Sequence, residues 1–249
     1  MEIADRNIGA LIRRLALFYV VMLTFWAVSL FWWLSYGYEG TFLWLNQYHW
    51  LTLDQLDLYF FTHLGDGLIL PGMLVLIIWR KNPGLAVTAI LALVVCGLLA
   101  QLGKTTLFSD WSRPAKALMD VAGLEIVHPH PPHSRSFPSG HATTMATGGV
   151  FFAYFFYSVR SWLPALVGLF TVFLCFSRVV IGVHFPGDIF VGSVLGALGG
   201  FMFLWLLYPG IDKVTKKVVE ERFPKLMALV LWLTFVIIIA QFINLIVNI

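Results

Sequence analysis

Two short stretches carry residue types that could do chemistry together. The first is Ser177-Arg178-Val179-Val180-Ile181-Gly182-Val183-His184-Phe185-Pro186-Gly187-Asp188, a polar break between two long apolar runs. With Pro186 at the first position of the following helix, the spacing of four residues brings Asp188 close enough to His184 to orient its imidazole. The second is Arg135-Ser136-Phe137-Pro138-Ser139-Gly140-His141, which runs straight into another apolar stretch. Ser139 can cap that helix while the amides of its first turn stay open, which makes a site suited to the oxygens of a phosphate. His141 then stands beside whatever binds. Upstream, Lys104 and Arg113-Pro114 add cations, and an arginine can grip two phosphate oxygens at once.

The elements that must position these residues read as membrane spans. Hydrophobic residues make up 59% of the 249, charged residues only 12%, and there are 22 Phe and 10 Trp. That balance excludes an ordinary soluble domain and predicts an all-α polytopic membrane helix bundle. A formal net charge of +3 gives no reason to expect nucleic acid as a partner. Cys96 and Cys175 both lie inside apolar runs and read as buried small residues.

The predicted spans are Leu15 to Trp33, Leu58 to Trp79 (interrupted by Asp66-Gly67 and Pro71-Gly72), Leu85 to Leu102, His141 to Val159, Ala165 to Phe176, Ile189 to Leu207 and Leu226 to Ile249. Tyr36 to Asp57 reads as an aromatic, acidic interfacial segment, Gly103 to Gly140 as a long polar loop, and Asp212 to Lys225 as a charged amphipathic linker. With seven spans, Arg6, Arg13, Arg14, Arg80, Lys81, Arg160 and the Lys213 to Lys225 cluster fall on one side. The positive-inside rule makes that side cytoplasmic, with the N-terminus. Lys104, Arg113, Lys116, Arg135 and Arg178 then lie on the side that should lack cations, as expected if they hold something anionic.

These pieces resemble the type-2 phosphatidic acid phosphatase superfamily. Its signature is a lysine followed by Arg-Pro (Lys104, Arg113-Pro114), then Pro-Ser-Gly-His (Pro138 to His141). The third part is Ser177, Arg178, Gly182, His184 and Asp188 at the family's spacing. The resemblance covers about Leu58 to Leu207, a six-helix phosphatase core. It leaves residues 208–249 as linker and extra C-terminal span of a single membrane domain. The first motif departs from the pattern: eight residues, not six, separate Lys104 from Arg113, so Lys116 stands as the alternative lysine.

The resemblance implies that His184 attacks phosphorus and forms a phosphohistidine, with Asp188 fixing its tautomer, while His141 protonates the leaving oxygen and then activates water. It implies that Lys104, Arg113, Arg178 and the Ser139 and Gly140 amides neutralise the equatorial oxygens, with no metal or other cofactor. Arg135, Lys116 and Asp66 are possible headgroup contacts, and Asp66 or His63 could equally pair within the bundle. The run His128-Pro129-His130-Pro131-Pro132-His133 reads as a rigid loop, not a metal site. The expected substrate is a lipid phosphate drawn from the bilayer at the extracytoplasmic face of the cytoplasmic membrane. A polyprenyl pyrophosphate such as undecaprenyl pyrophosphate is favoured over phosphatidylglycerol phosphate, phosphatidic acid or lipid A phosphates. A phosphotransferase using the same site is the alternative, and a non-catalytic transporter or scaffold for anionic lipids is a reading of a different class.

Overall fold

The computed structural model describes residues 7–46, 61–128, 131–220 and 224–247, and among them the regular structure is entirely helical. Helix α1 (Ile8–Tyr36) starts at Asn7, whose side chain accepts from the Ala10 amide, and ends at Gly37 with φ 75°. A short α2 (Tyr38–Asn46) follows at once. Then come a 3₁₀ turn (His63–Gly65), α3 (Ile69–Ile78), α4 (Pro83–Thr106), a single helical turn (Pro114–Ala117), α5 (Gly140–Tyr157), α6 (Leu163–Val180) and α7 (Pro186–Leu206). The chain closes with α8 (Tyr208–Thr215), a π-helical stretch (Lys216–Glu220) and α9 (Pro224–Val247).

Helices α1, α4, α6 and α7 are long and apolar enough to cross a membrane. Their outer faces keep large apolar side chains exposed, Phe31 at 65% and Leu98 at 64% among them, which suits hydrocarbon and not water. The predicted second span is not one helix. A turn at residues 63–68 breaks it, Asp66 Oδ1 accepts the Leu68 amide at 2.9 Å, and α3 is ten residues long. Gly67 and Asp66 favour that turn over a continued helix. The predicted limits of two other spans move as well. Helix α4 runs on past Leu102 to include Lys104, and α6 runs past Phe176 to include Ser177 and Arg178. The first half of the predicted interfacial segment holds α2, and its second half, residues 47–57, falls outside the described residues, as do Pro129 and His130 of the histidine-proline run.

Helix α7 lies almost in contact with α5. A Cβ on Gly192 would strike the Ser139 carbonyl and one on Gly196 the Thr143 carbonyl, and the Gly196 carbonyl accepts from Thr147 Oγ1 at 3.1 Å. Small residues let backbones approach where the bilayer supplies no hydrophobic drive between helices. At the opposite end from this close approach, Asp212 is buried (2% exposed) against Gly84 at the start of α4 and pairs with Lys216 at 2.8 Å. There Asn82 donates to the Tyr208 hydroxyl at 2.6 Å, and the Arg14 guanidinium stacks over Tyr154. The predicted linker thus begins as an integral part of the bundle. Helix α9 packs on α3, with Ile238 filling the space over Gly72.

Candidate active site

Six chain segments deliver the motif residues to one end of the bundle. They are the C-terminal ends of α4 (Lys104) and α6 (Ser177, Arg178), the N-terminal ends of α5 (Ser139 to His141) and α7 (Asp188), the loop holding His184, and the long loop, which holds Arg113. The chain reaches His184 through a turn at Gly182 with φ 80°, where a side chain would be strained and would collide with Ile126. Pro186 opens α7 as expected, so Asp188 sits in its first turn, and its Oδ2 reaches back to the Phe185 amide at 3.0 Å.

Asp188 is fully buried, and its carboxylate is saturated with donors. His184 Nδ1 lies 2.9 Å from Oδ2, the Ser136 hydroxyl donates to Oδ2 and the Tyr38 hydroxyl donates to Oδ1. On the other side of the imidazole, Arg113 Nη1 stands 3.3 Å from His184 Nε2 and donates to the Val183 carbonyl at 3.0 Å. A guanidinium can only donate, so Nε2 must accept and Nδ1 carries the hydrogen that goes to Asp188. The lone pair of a neutral imidazole is therefore aimed at the cationic pocket. Burial, then the charges of Arg113, Lys104 and Arg178, push the His184 pKa well below its ordinary value.

The cations are held in place by the frame. Arg113 Nε donates to the Ser134 carbonyl and its amide to the His133 carbonyl, while the Ser136 amide returns to the Trp111 carbonyl, so the long loop is pinned across its own neck. Arg178 donates to Thr62 Oγ1 at 3.4 Å, and Thr62 in turn shares a 2.7 Å hydrogen bond with Ser177. Lys104 is 8% exposed and feels the charges of Arg113, Arg178 and Asp188. Lys116 is exposed on the helical turn after Arg113. Between the two candidate lysines, Lys104 shares the site.

Ser139 caps α5, accepting from the Ala142 amide at 3.3 Å with its side chain and from the Thr143 amide with its carbonyl. Its own amide goes to the Asp188 carbonyl at 3.0 Å, tying the two motifs backbone to backbone. The Gly140 and His141 amides remain at the open positive end of the helix. The His141 ring hydrogen-bonds the Thr62 backbone, and its buried Nε2 has no partner among the described residues. Gly65 of the 3₁₀ turn lies over that nitrogen so closely that a Cβ would collide with it.

The predicted site residues Lys104, Arg113, Ser139, Gly140, His141, Arg178, His184 and Asp188 are thus gathered in one place. Arg135 is exposed with φ 55°, Lys116 is exposed, and Asp66 is half-buried with its local turn as partner; none of the three joins the buried cluster. Sequence reasoning missed Tyr38, Thr62, Gly65 and Ser136. Ser136 flanks a motif and was open to notice. The others come from segments with no spacing relation to the histidines.

Known proteins similar to this chain are named as phosphatases of lipids. An undecaprenyl-diphosphatase of Sulfolobus acidocaldarius is 26% identical over 151 residues, 61% of this chain and 69% of that protein. A lipid A 1-phosphatase of Rhizobium johnstonii is 34% identical over 106 residues, 42% of this chain and 40% of that protein. A lipid A 4'-phosphatase of Bacteroides thetaiotaomicron is 29% identical over 72 residues, 29% of this chain and 31% of that protein. The chain therefore matches less than half the length of either lipid A phosphatase. The crystal structure of Aquifex aeolicus LpxE superposes with a TM-score of 0.57 at 25% identity, covering 67% of this chain and 94% of that one. A family model described as the PAP2 superfamily matches residues 84–212, a span that holds all three motifs, and the chain belongs to that superfamily.

Proposed function

We propose that the protein is a membrane lipid phosphatase that works through a phosphohistidine on His184. The observation that carries this reading is the bracketed imidazole: Nδ1 is 2.9 Å from the Asp188 carboxylate, and Nε2 faces Arg113 at 3.3 Å with Lys104 and Arg178 in the same charge cluster. A phosphate entering that cluster displaces the Arg113 contact and meets the lone pair in line.

In the first half-reaction Nε2 forms a bond to phosphorus, the bond to the leaving oxygen breaks, and His141 gives that oxygen a proton. In the second, His141 takes a proton from water, water oxygen bonds to phosphorus and the phosphorus–nitrogen bond breaks, releasing inorganic phosphate. Asp188 stabilises the imidazolium formed in the first step. Lys104, Arg113, Arg178 and the Gly140 and His141 amides oppose the charge on the equatorial oxygens, the work that magnesium does in other phosphoryl transfers. The proposal therefore needs no metal.

The site's position at one end of an apolar bundle favours a substrate whose tail stays in the bilayer. A polyprenyl diphosphate is our preferred substrate, in line with the name of the archaeal relative, and lipid A phosphates come next. The charge distribution supports placing the site on the extracytoplasmic face. The test is phosphate release from a panel of lipid mono- and diphosphates by purified protein with EDTA present. Release is expected with at least one lipid, and loss of release on adding EDTA overturns the metal-free mechanism. Transfer of phosphate to a second lipid without release would make the protein a phosphotransferase instead.

A further inference from the structure

The Asp188 carboxylate receives four hydrogen-bond donors: His184 Nδ1, the Ser136 hydroxyl, the Phe185 amide and the Tyr38 hydroxyl. The first three come from the segment that matches the family and all converge on Oδ2. Tyr38 comes from α2, outside that segment, and is the donor on Oδ1. A carboxylate held by one oxygen can still swing about its Cβ–Cγ bond, because that torsion is broad. A donor on the second oxygen stops the swing and keeps Oδ2 aimed at His184.

The phenol is built into its place. The turn at Gly37 lets α2 double back from α1, and Thr41 Oγ1 donates to the Gly37 carbonyl at 2.6 Å and the Trp32 carbonyl at 3.0 Å. The Tyr38 ring packs on Phe185 at 4.5 Å, Trp111 at 5.1 Å and Trp33 at 6.0 Å between centroids. It lies so close to Gly187 that a Cβ there would come within 2.9 Å of it. At the far end of α2, Asn46 donates to the Glu125 carbonyl and accepts the Glu125 amide, at 2.8 and 3.0 Å, fastening the helix to the long loop. Burial, reinforced by the Asp188 charge, raises the pKa of the phenol far above its ordinary value, so it remains a donor at every working pH.

We propose that Tyr38 is a positioning residue for the reaction, the means by which α1 and α2 lock the Asp188 carboxylate in the orientation that presents the His184 lone pair to phosphate. The inference rests on the phosphohistidine reading above. Tyr38→Phe keeps the ring and removes one hydroxyl. It is expected to lower kcat about tenfold with KM within about twofold of the wild type, because one hydrogen bond to a charged group is lost and no substrate contact is.

The variant is also expected to move the acid limb of the pH profile upward. With one donor gone the carboxylate attracts a proton more strongly, and the His184–Asp188 pair then protonates at higher pH. The charges facing the pair are Arg113 from the long loop, Lys104 from α4 and Arg178 from α6; His141 faces it from α5, and Glu39 lies beside Tyr38 on α2. None of these changes in the variant. A purely structural role for the ring predicts an unmoved pH profile, and that result, or an unchanged kcat, overturns the proposal. So does a rise in KM at constant kcat, which would make Tyr38 a substrate contact.

Should Tyr38→Phe not accumulate as folded protein, 3-fluorotyrosine at position 38 preserves the hydroxyl as a stronger donor and must shift the acid limb downward; no shift overturns the proposal equally. A wild-type protein that turns over no lipid phosphate removes the phosphohistidine reading and this inference together. An active wild type with an indifferent Tyr38→Phe removes only the inference.

Discussion

At the scale of single residues, the imidazole of His184 is poised by opposite demands on its two nitrogens. Asp188 wants a hydrogen on Nδ1 and Arg113 wants a lone pair on Nε2, so one neutral tautomer satisfies both. His184→Ala should leave the protein folded and reduce phosphate release by at least about a thousandfold, measured on the best lipid of the panel. Because burial and three cations lower the proton affinity of His184, the proposed nucleophile stays unprotonated well below its ordinary range. The acid limb of kcat/KM should therefore lie below about pH 6.5, and Arg113→Met, which removes a positive charge from beside Nε2, should move it upward. A limb that moves downward in Arg113→Met would contradict the electrostatic account.

At the scale of elements, the site depends on helix ends meeting at short range. Ser139 at the start of α5 donates its amide to the carbonyl of Asp188 in α7, and that junction requires Gly192 and Gly196 to let the two backbones touch. Gly196→Ala should cost about 1–3 kcal/mol of stability, since the added methyl meets the Thr143 carbonyl and neither helix can yield alone. Gly97→Ala, in α4 with open space around it, is the control and should be neutral; thermal unfolding in detergent followed by fluorescence reads both. Gly65 makes a different point. A methyl there strikes both His141 Nε2 and the buried Met145 side chain, so Gly65→Ala should depress turnover and lower the unfolding midpoint together.

At the scale of the whole molecule, the two ends of the bundle are chemically distinct. One gathers His184, Asp188, His141 and the cations Lys104, Arg113 and Arg178. The other holds Arg14, Tyr154, Asn82, Tyr208 and the buried Asp212 with its half-buried partner Lys216. Met119 is exposed in the long loop at the first end and Trp162 is exposed in the turn before α6 at the second. The native cysteines, Cys96 and Cys175, are both buried. In right-side-out membrane vesicles, a membrane-impermeant maleimide should label Met119→Cys and spare Trp162→Cys, with the reverse in inverted vesicles. The opposite pattern would place the site on the cytoplasmic side.

Much of this was legible in the sequence because it is local. Apolar run length marks α1, α4, α6 and α7 within a single continuous segment each, Ser-Gly before a run marks a helix start, and a spacing of four puts Asp188 under His184; none of these needs a contact between distant segments. Span limits were less legible where polar residues continue a helix, as Lys104 does in α4 and Arg178 in α6. A fixed helical register places both in the last turn, where cations also meet the negative end of the dipole. The choice of Lys104 over Lys116 needed tertiary structure, since spacing along the chain does not say which lysine the loop turns inward. The same holds for Tyr38, Thr62 and Gly65, which reach the site from outside the three motifs by packing alone. The sequence by itself determined the superfamily, through its three motifs, and the helices that carry them. Only the meeting of helix ends decided which neighbours fix the carboxylate, hold the arginine and cover the second histidine, because those contacts join residues far apart in the chain: Tyr38 with Asp188, Thr62 with Arg178 and Gly65 with His141.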